Sequence, residues 1–224
     1  MSEKIAAIIG ATGMIGNYLT EELIKDDYFT TIRLIVRRPV EKKDPRIEVA
    51  LVDFDDAESL KLALENADTV FSCIGTTQKN VQGNTDLYRK IDYEIPLKAA
   101  RFCQEAGCRK FIFVSSVGAN LKSNTFYLRL KGELEKAVQN LNIEMVHVMQ
   151  PSMLLGERKE KRSGERIFQK IMKPLSGIFS GSFRKFRAIH GRTVAKAMLH
   201  AAKLDQPGFF RHRYDEIELL ARPK

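Results

Sequence analysis

The sequence predicts an α/β fold built on a doubly wound parallel sheet, and two observations carry that reading. Apolar runs of strand length alternate with amphipathic stretches of helix length as far as residue 150, the pattern of stacked βαβ units. The first run, Lys4-Ile5-Ala6-Ala7-Ile8-Ile9, passes straight into Gly10-Ala11-Thr12-Gly13-Met14-Ile15-Gly16. Beyond that turn Ile15, Leu19, Leu23 and Ile24 recur at helical spacing.

Taken in order, strands are predicted near 5–10, 32–36, 47–52, 69–74, 110–115 and 144–149, and helices near 14–25, 56–66, 86–106 and 126–141. Asp55, Asp86 and Thr125 introduce the last three helices, because a short polar side chain there can accept from a first-turn N–H. Right-handed crossovers place the helices on both faces of the sheet. After Pro151 the alternation breaks down. Charged loops, helices near 164–173 and 192–203, a Gly/Ser/Phe-rich stretch over 174–187 and a strand-like Ile217-Glu218-Leu219-Leu220 follow. Residues 1–150 are therefore expected to form the nucleotide-binding core, with 151–224 a small substrate-side lobe completing the same domain. The polar segment from Thr76 to Thr85 is too long for a tight turn and is expected to act as a mobile cover.

Charge is distributed unevenly along the chain. Residues 1–150 carry 20 Lys+Arg against 21 Asp+Glu, whereas residues 151–224 carry 17 against 7, so the last third holds all of the +9 excess. Its densest stretches are Arg158-Lys159-Glu160-Lys161-Arg162 and Arg184-Lys185-Phe186-Arg187, with Phe179 and Phe183 nearby. No zinc, helix-turn-helix or RNA-recognition pattern accompanies them, so this surface is expected to border a substrate entrance, without specific nucleic-acid binding. Cys73, Cys103 and Cys108 are odd in number and lack C-x-x-C spacing, which predicts reduced thiols. Four scattered histidines without H-E-x-x-H predict no metal site. There is no run of 18 apolar residues, and the first strand starts without a leader, so a soluble, cytoplasmic protein with no membrane partner is expected.

The glycine-spaced turn has the chemistry of a dinucleotide-phosphate site. Gly10 allows the tight turn, Gly13 lets backbone approach a pyrophosphate, and Gly16 lets the helix pack closely on the sheet, so Thr12, Met14 and Ile15 present the helix N-terminus. At the end of the second strand, an NAD site would place a carboxylate on the adenosine ribose. This chain has Arg37 and Arg38 there, whose guanidinium groups can fork onto a 2′-phosphate, so NADP(H) is the expected cofactor. The crevice of such sheets lies beyond the carboxyl ends of the strands, which gathers Gly10, Arg37, Asp53, Cys73 to Thr76, Ser115, Ser116 and Gln150 to Met153 around one cleft. Tyr127 and Lys131 stand four apart on one helical face. The ammonium favours the phenolate, so the pair can act as an acid/base near neutrality, and a serine at the preceding strand end can bond the reacting oxygen.

On these residues the sequence resembles the short-chain dehydrogenase/reductase superfamily. Gly10 to Gly16, Val36-Arg37-Arg38-Pro39, Ser115-Ser116-Val117-Gly118-Ala119 and Tyr127-x-x-x-Lys131-Gly132-Glu133 are similar to its atypical members related to the Tat-interacting-protein oxidoreductases. The resemblance extends over the whole chain, including Pro151-Ser152-Met153-Leu154-Leu155. It implies a Rossmann fold binding NADP(H), with Ser116, Tyr127 and Lys131 in the catalytic positions, leaving open which of Ser115 and Ser116 points inward. It also implies Asp53 facing the adenine with Phe54 beside it, and Cys73, Ile74, Gly75 and Thr76 lining the cofactor channel together with Ser115. Pro151, Ser152 and Met153 would touch the nicotinamide. The asparagine found on the fourth helix of many members is here Asp92 or absent. The expected activity is hydride transfer between NADP(H) and a small carbonyl or alcohol, with an NADPH-binding regulatory protein as the alternative. The helices at 86–106 and 126–141 are candidate surfaces for a homodimer.

Overall fold

In the computed structural model, which describes residues 3–156 and 181–222, seven strands form one parallel sheet. In chain order these are β1 (Ile5–Ile9), β2 (Thr31–Val36), β3 (Ile47–Leu51), β4 (Thr69–Ser72), β5 (Lys110–Val114), β6 (Met145–Met149) and β9 (Gly208–His212), arranged β3-β2-β1-β4-β5-β6-β9. A separate parallel pair joins β7 (Leu154–Leu155) to β8 (Ile189–His190). Because both faces of the main sheet are covered, its inner strands are buried along almost their whole length and are mostly apolar. β1 is buried at all five positions and β6 likewise.

Two layers of core follow. One face packs α1 (Met14–Ile24) together with α6 (Gly191–Ala202) and α7 (Tyr214–Leu220), through Leu19, Leu23, Val194, Met198 and Ile217 among others. The other face packs α2 (Ala57–Leu64), α4 (Ile95–Glu105) and α5 (Phe126–Gln139), through Leu60, Leu64, Ala99, Cys103, Leu134 and Val138. The six predicted strands and the helices that follow them lie where the periodicity put them. The predicted helix over 86–106 divides into α3 (Thr85–Arg89), one π turn (Lys90–Glu94) and α4. Pro96 explains the division: it has no N–H to give the carbonyl four residues back, which belongs to Asp92. The chain instead widens, with Ile95 N–H donating to the Lys90 carbonyl.

One expectation is corrected. Ile217–Leu220 is helical, because Tyr214, Ile217 and Leu220 at intervals of three bury one face against the core, and Glu216 accepts the Arg213 N–H at 3.0 Å. The last strand is instead Gly208–His212, which pairs with β6 and puts the chain after Pro151 into the main sheet. The 76–85 segment is folded on itself. Gly83 N–H donates to the Gln78 carbonyl at 3.0 Å and Asn80 N–H to Thr77 at 2.9 Å, while Val81 is buried with Tyr88 and Leu130. The predicted helix at 164–173, the Arg158–Arg162 run and Phe179 lie outside the described residues.

Candidate active site

The order of strands reverses between β1 and β4, the switch point where open sheets of this kind bind nucleotides. Gly10, at the end of β1, adopts φ +82, and a Cβ there would lie 2.8 Å from the Cys73 carbonyl carbon and the Ile74 nitrogen at the end of β4. No side chain larger than hydrogen fits between those two strand ends. The chain then turns, with Gly13 N–H donating to the Gly10 carbonyl at 3.0 Å. At Gly16 a Cβ would stand 2.2 Å from that carbonyl oxygen, so this glycine is required by the contact between helix and turn. Gly13 is less crowded, 3.3 Å from the same oxygen, and is exposed.

Gly13 is also the N-cap of α1, and no side chain caps the helix. The first-turn N–H groups at Met14, Ile15 and Gly16 are thus left for an anion, with exposed Thr12 beside them and Ile15 buried beneath. Arg37 and Arg38 follow β2 directly. Both are exposed, and neither has an acidic partner among the described residues. Asp53 is exposed after β3, where its carboxylate accepts the Asp55 N–H at 2.9 Å, whereas Phe54 is buried in the core and offers only backbone to the cleft. An uncapped helix end and, at the adjoining strand end, two guanidinium groups without an acidic partner among the described residues can receive the phosphates of a dinucleotide.

A second cluster gathers at the start of α5. Lys131, on its second turn, is 3% exposed and pairs with Asp92 Oδ1 at 2.9 Å, the carboxylate being equally buried. The other carboxylate oxygen accepts the Thr76 N–H at 2.7 Å, tying the segment after β4 to the π turn. Burial pulls the Lys131 pKa down, but the Asp92 charge and then Tyr127 outweigh it, and the net direction is up. Tyr127 lies half-buried with its ring centroid 5.9 Å from the ammonium and 6.3 Å from the ring of Tyr88. Its hydroxyl has no hydrogen-bond partner among the described residues and is available to a ligand.

The two serines after β5 part company. Ser115 donates to Glu135 Oε1 at 2.5 Å, and the same carboxylate accepts from Gln150 Nε2 at 2.8 Å and from Arg211 Nε at 2.8 Å. Its hydroxyl is therefore consumed by a buried network. The Ser116 hydroxyl makes only a long 3.3 Å approach to the Val117 carbonyl. Beyond β6, the Pro151 carbonyl accepts the Val117 N–H at 3.0 Å, Ser152 bonds the Arg187 carbonyl, and Met153 accepts from Ile189 N–H at 2.9 Å. These bonds set the 151–153 segment alongside Ser116. Of the residues singled out from sequence, Cys73 is held with its thiol pushed up to about 12 by burial, which leaves it unreactive.

A family model described as NAD(P)H-binding matches residues 10–173. The chain belongs to this NAD(P)H-binding family. Its relatives include the rat (Rattus norvegicus) protein HTATIP2, 31% identical over 211 residues, covering 93% of this chain and 84% of that protein. The mitochondrial protein FMP52 of Debaryomyces hansenii is 36% identical over 203 residues, covering 88% and 87%. Among solved structures, a UDP-N-acetylglucosamine 4-epimerase from Methanobrevibacter ruminantium M1 in complex with UDP-N-acetylmuramic acid superposes with a TM-score of 0.70, at 19% identity, over 95% of this chain and 77% of that one. MoeE5, in complex with UDP-glucuronic acid and NAD, gives 0.71 at 18% identity over 93% and 75%. The relatives bear out the predicted resemblance, and the structures bear out the Rossmann fold. The expected cytoplasmic location is corrected, since FMP52 relatives from several fungi are named mitochondrial. Among the described residues no helix is long and apolar enough to cross a membrane.

In this NAD(P)H-binding family member the sequence offers Asp92 as one of two options for its position and gives no sign of Glu135. Pro96 was the available signal for Asp92, because a proline at that point of a helix displaces the backbone four residues earlier. Nothing local marks Glu135, whose partners come from β5, β6 and β9.

Proposed function

We propose that this chain is an NADP(H)-dependent oxidoreductase acting on a small carbonyl or alcohol. The observation that carries the reading is the buried Lys131–Asp92 pair behind a half-buried Tyr127 whose hydroxyl is unengaged. An ammonium is costly to bury, and one held charged beneath a phenol serves a purpose that core packing does not need.

Bound NADP(H) supplies or accepts the hydride at the substrate carbon. In the reducing direction, Tyr127 gives its hydroxyl proton to the carbonyl oxygen, and the phenolate left behind is stabilised by the Lys131 charge. Ser116 holds that oxygen from the other side by donating a hydrogen bond. Asp92 keeps Lys131 charged and in place, and through the Thr76 N–H it sets the lip of the channel. Arg37 and Arg38 would receive a 2′-phosphate, which favours NADP(H) over NAD(H). The uncapped start of α1 would receive the pyrophosphate.

Tyr127→Phe tests the reading. With a panel of aldehydes, ketones and quinones and NADPH oxidation as the readout, wild type should turn over at least one class. The variant should lose on the order of a hundredfold in kcat while NADPH affinity stays within about threefold. Undiminished turnover by Tyr127→Phe would sink the acid/base assignment. Cofactor binding by wild type without oxidation of NADPH on any of the panel would favour a regulatory role.

A further inference from the structure

On the flank of α5 that faces β9 lies a cleft of about 410 Å³, bounded by the 117–121 loop, α5, the ends of β6 and β9, and the turn at Lys185-Phe186. It opens beyond the carboxyl ends of the strands, and its lining includes neither Tyr127 nor Lys131. Its floor is polar and buried: Glu135 and Gln150 are each 3% exposed. Glu135 is already satisfied by Ser115, Gln150 and Arg211. Arg211 is thereby paired, whereas Arg213 donates from Nε to Gln150 Oε1 at 3.4 Å and the Lys185 ammonium stands 5.2 Å from the centroid of the Phe186 ring. Lys136, Lys185 and Arg213 line the same cleft, and none has an acidic partner among the described residues. The neighbouring carboxylates are occupied elsewhere, Asp215 by Arg184 at 2.8 Å and Glu216 by the Arg213 backbone N–H at 3.0 Å. In the same lining, Phe186, beside Lys185, and Leu121 are 39% and 50% exposed, apolar surface left open to solvent.

Among the described residues the lining carries four cations, Lys136, Lys185, Arg211 and Arg213, against the single carboxylate of Glu135, and a bound dianion offsets that excess of positive charge. We propose that this cleft is a second ligand site, distinct from the dinucleotide site, for a small organic phosphate whose apolar part rests on Phe186 and Leu121. A phosphate monoester carries close to two negative charges near neutral pH, which suits that excess better than a single carboxylate ligand does. The volume is that of a metabolite-sized site. The floor also joins the cleft to the neighbouring cluster. Ser115 precedes Ser116, and Glu135 lies one helical turn from Lys131, so occupancy of the cleft bears on residues adjoining the candidate active site.

The test is calorimetric titration of the full chain with phenyl phosphate and, separately, with inorganic phosphate. Three proteins are compared: wild type, Lys136→Gln with Lys185→Gln, and Arg37→Ala with Arg38→Ala. Lys136 is exposed and Lys185 reaches solvent, so the first pair leaves the fold intact, which far-UV circular dichroism checks. Phenyl phosphate should bind wild type saturably and more tightly than inorganic phosphate. Affinity should fall roughly tenfold in the Lys136/Lys185 pair and stay unchanged in the Arg37/Arg38 pair. Absence of saturable binding to wild type overturns the proposal. So does loss confined to the Arg37/Arg38 pair, which assigns the phosphate to the dinucleotide site, or equal affinity for the two probes, which removes the apolar surface from recognition.

Discussion

Acidification should loosen the outer edge of the sheet, with His147 as the responsible group. The ring lies on β6, 1% exposed, stacked on Phe210 and His212 of β9 with centroids 5.1 and 5.2 Å away. Its Nδ1 is 2.9 Å from His212 Nε2, and its own Nε2 has no partner among the described residues. Burial, then the His212 and Lys110 charges, push its pKa from 6.5 down to about 4. The unfolded chain therefore takes up a proton near pH 6.5 that the folded ring refuses until about pH 4, so stability falls as pH drops through that window. The gap is worth about 3 kcal/mol when fully expressed, and about 2 kcal/mol of it is lost between pH 7 and pH 5. Burial shifts His212 in the same direction, so it adds to the loss. Urea unfolding of wild type and His147→Gln at both pH values isolates the His147 share, because groups common to both proteins cancel. Wild type should lose about 2 kcal/mol more than the variant on going from pH 7 to pH 5. Equal pH dependence in the two proteins would refute the argument.

Arg37→Ala with Arg38→Ala should weaken NADP(H) at least about tenfold, roughly 1.4 kcal/mol, and leave NAD(H) nearly unchanged; equal losses for both cofactors in a fluorescence titration would remove the 2′-phosphate assignment. Gly16→Ala should fail to give folded protein, since its Cβ would stand 2.2 Å from the Gly10 carbonyl oxygen. Gly13→Ala, at 3.3 Å, should fold and lose cofactor affinity, and a thermal melt with and without NADPH separates the two. Asp92→Asn leaves the Lys131 ammonium buried without its counter-charge and should cost about 3–5 kcal/mol in a denaturant titration. A loss below about 1 kcal/mol would mean that the pair contributes little to holding the site together.

The local features of this protein were legible in its sequence. Apolar runs marked strands covered on both faces, the Gly10 to Gly16 spacing marked the tight turn between β1 and α1, and the Ile32 to Val36 run marked β2, with Arg37 and Arg38 exposed at its end. Each depends on residues within one strand–turn–helix unit, where period and backbone freedom act directly. The errors fell where neighbours distant in sequence decide. Ile217–Leu220 reads as a strand by composition, yet burial of Tyr214, Ile217 and Leu220 against α6 and the core makes it a helix. Gly208–His212 becomes the seventh strand only because β6 offers it an open edge. The pairing of Lys131 with Asp92, and the engagement of Ser115 rather than Ser116 by Glu135, join residues 39 and 20 positions apart. Sequence determined which side chains were available; the tertiary structure chose the partners, because a buried charge or hydroxyl must find its counterpart in whatever element the fold brings alongside.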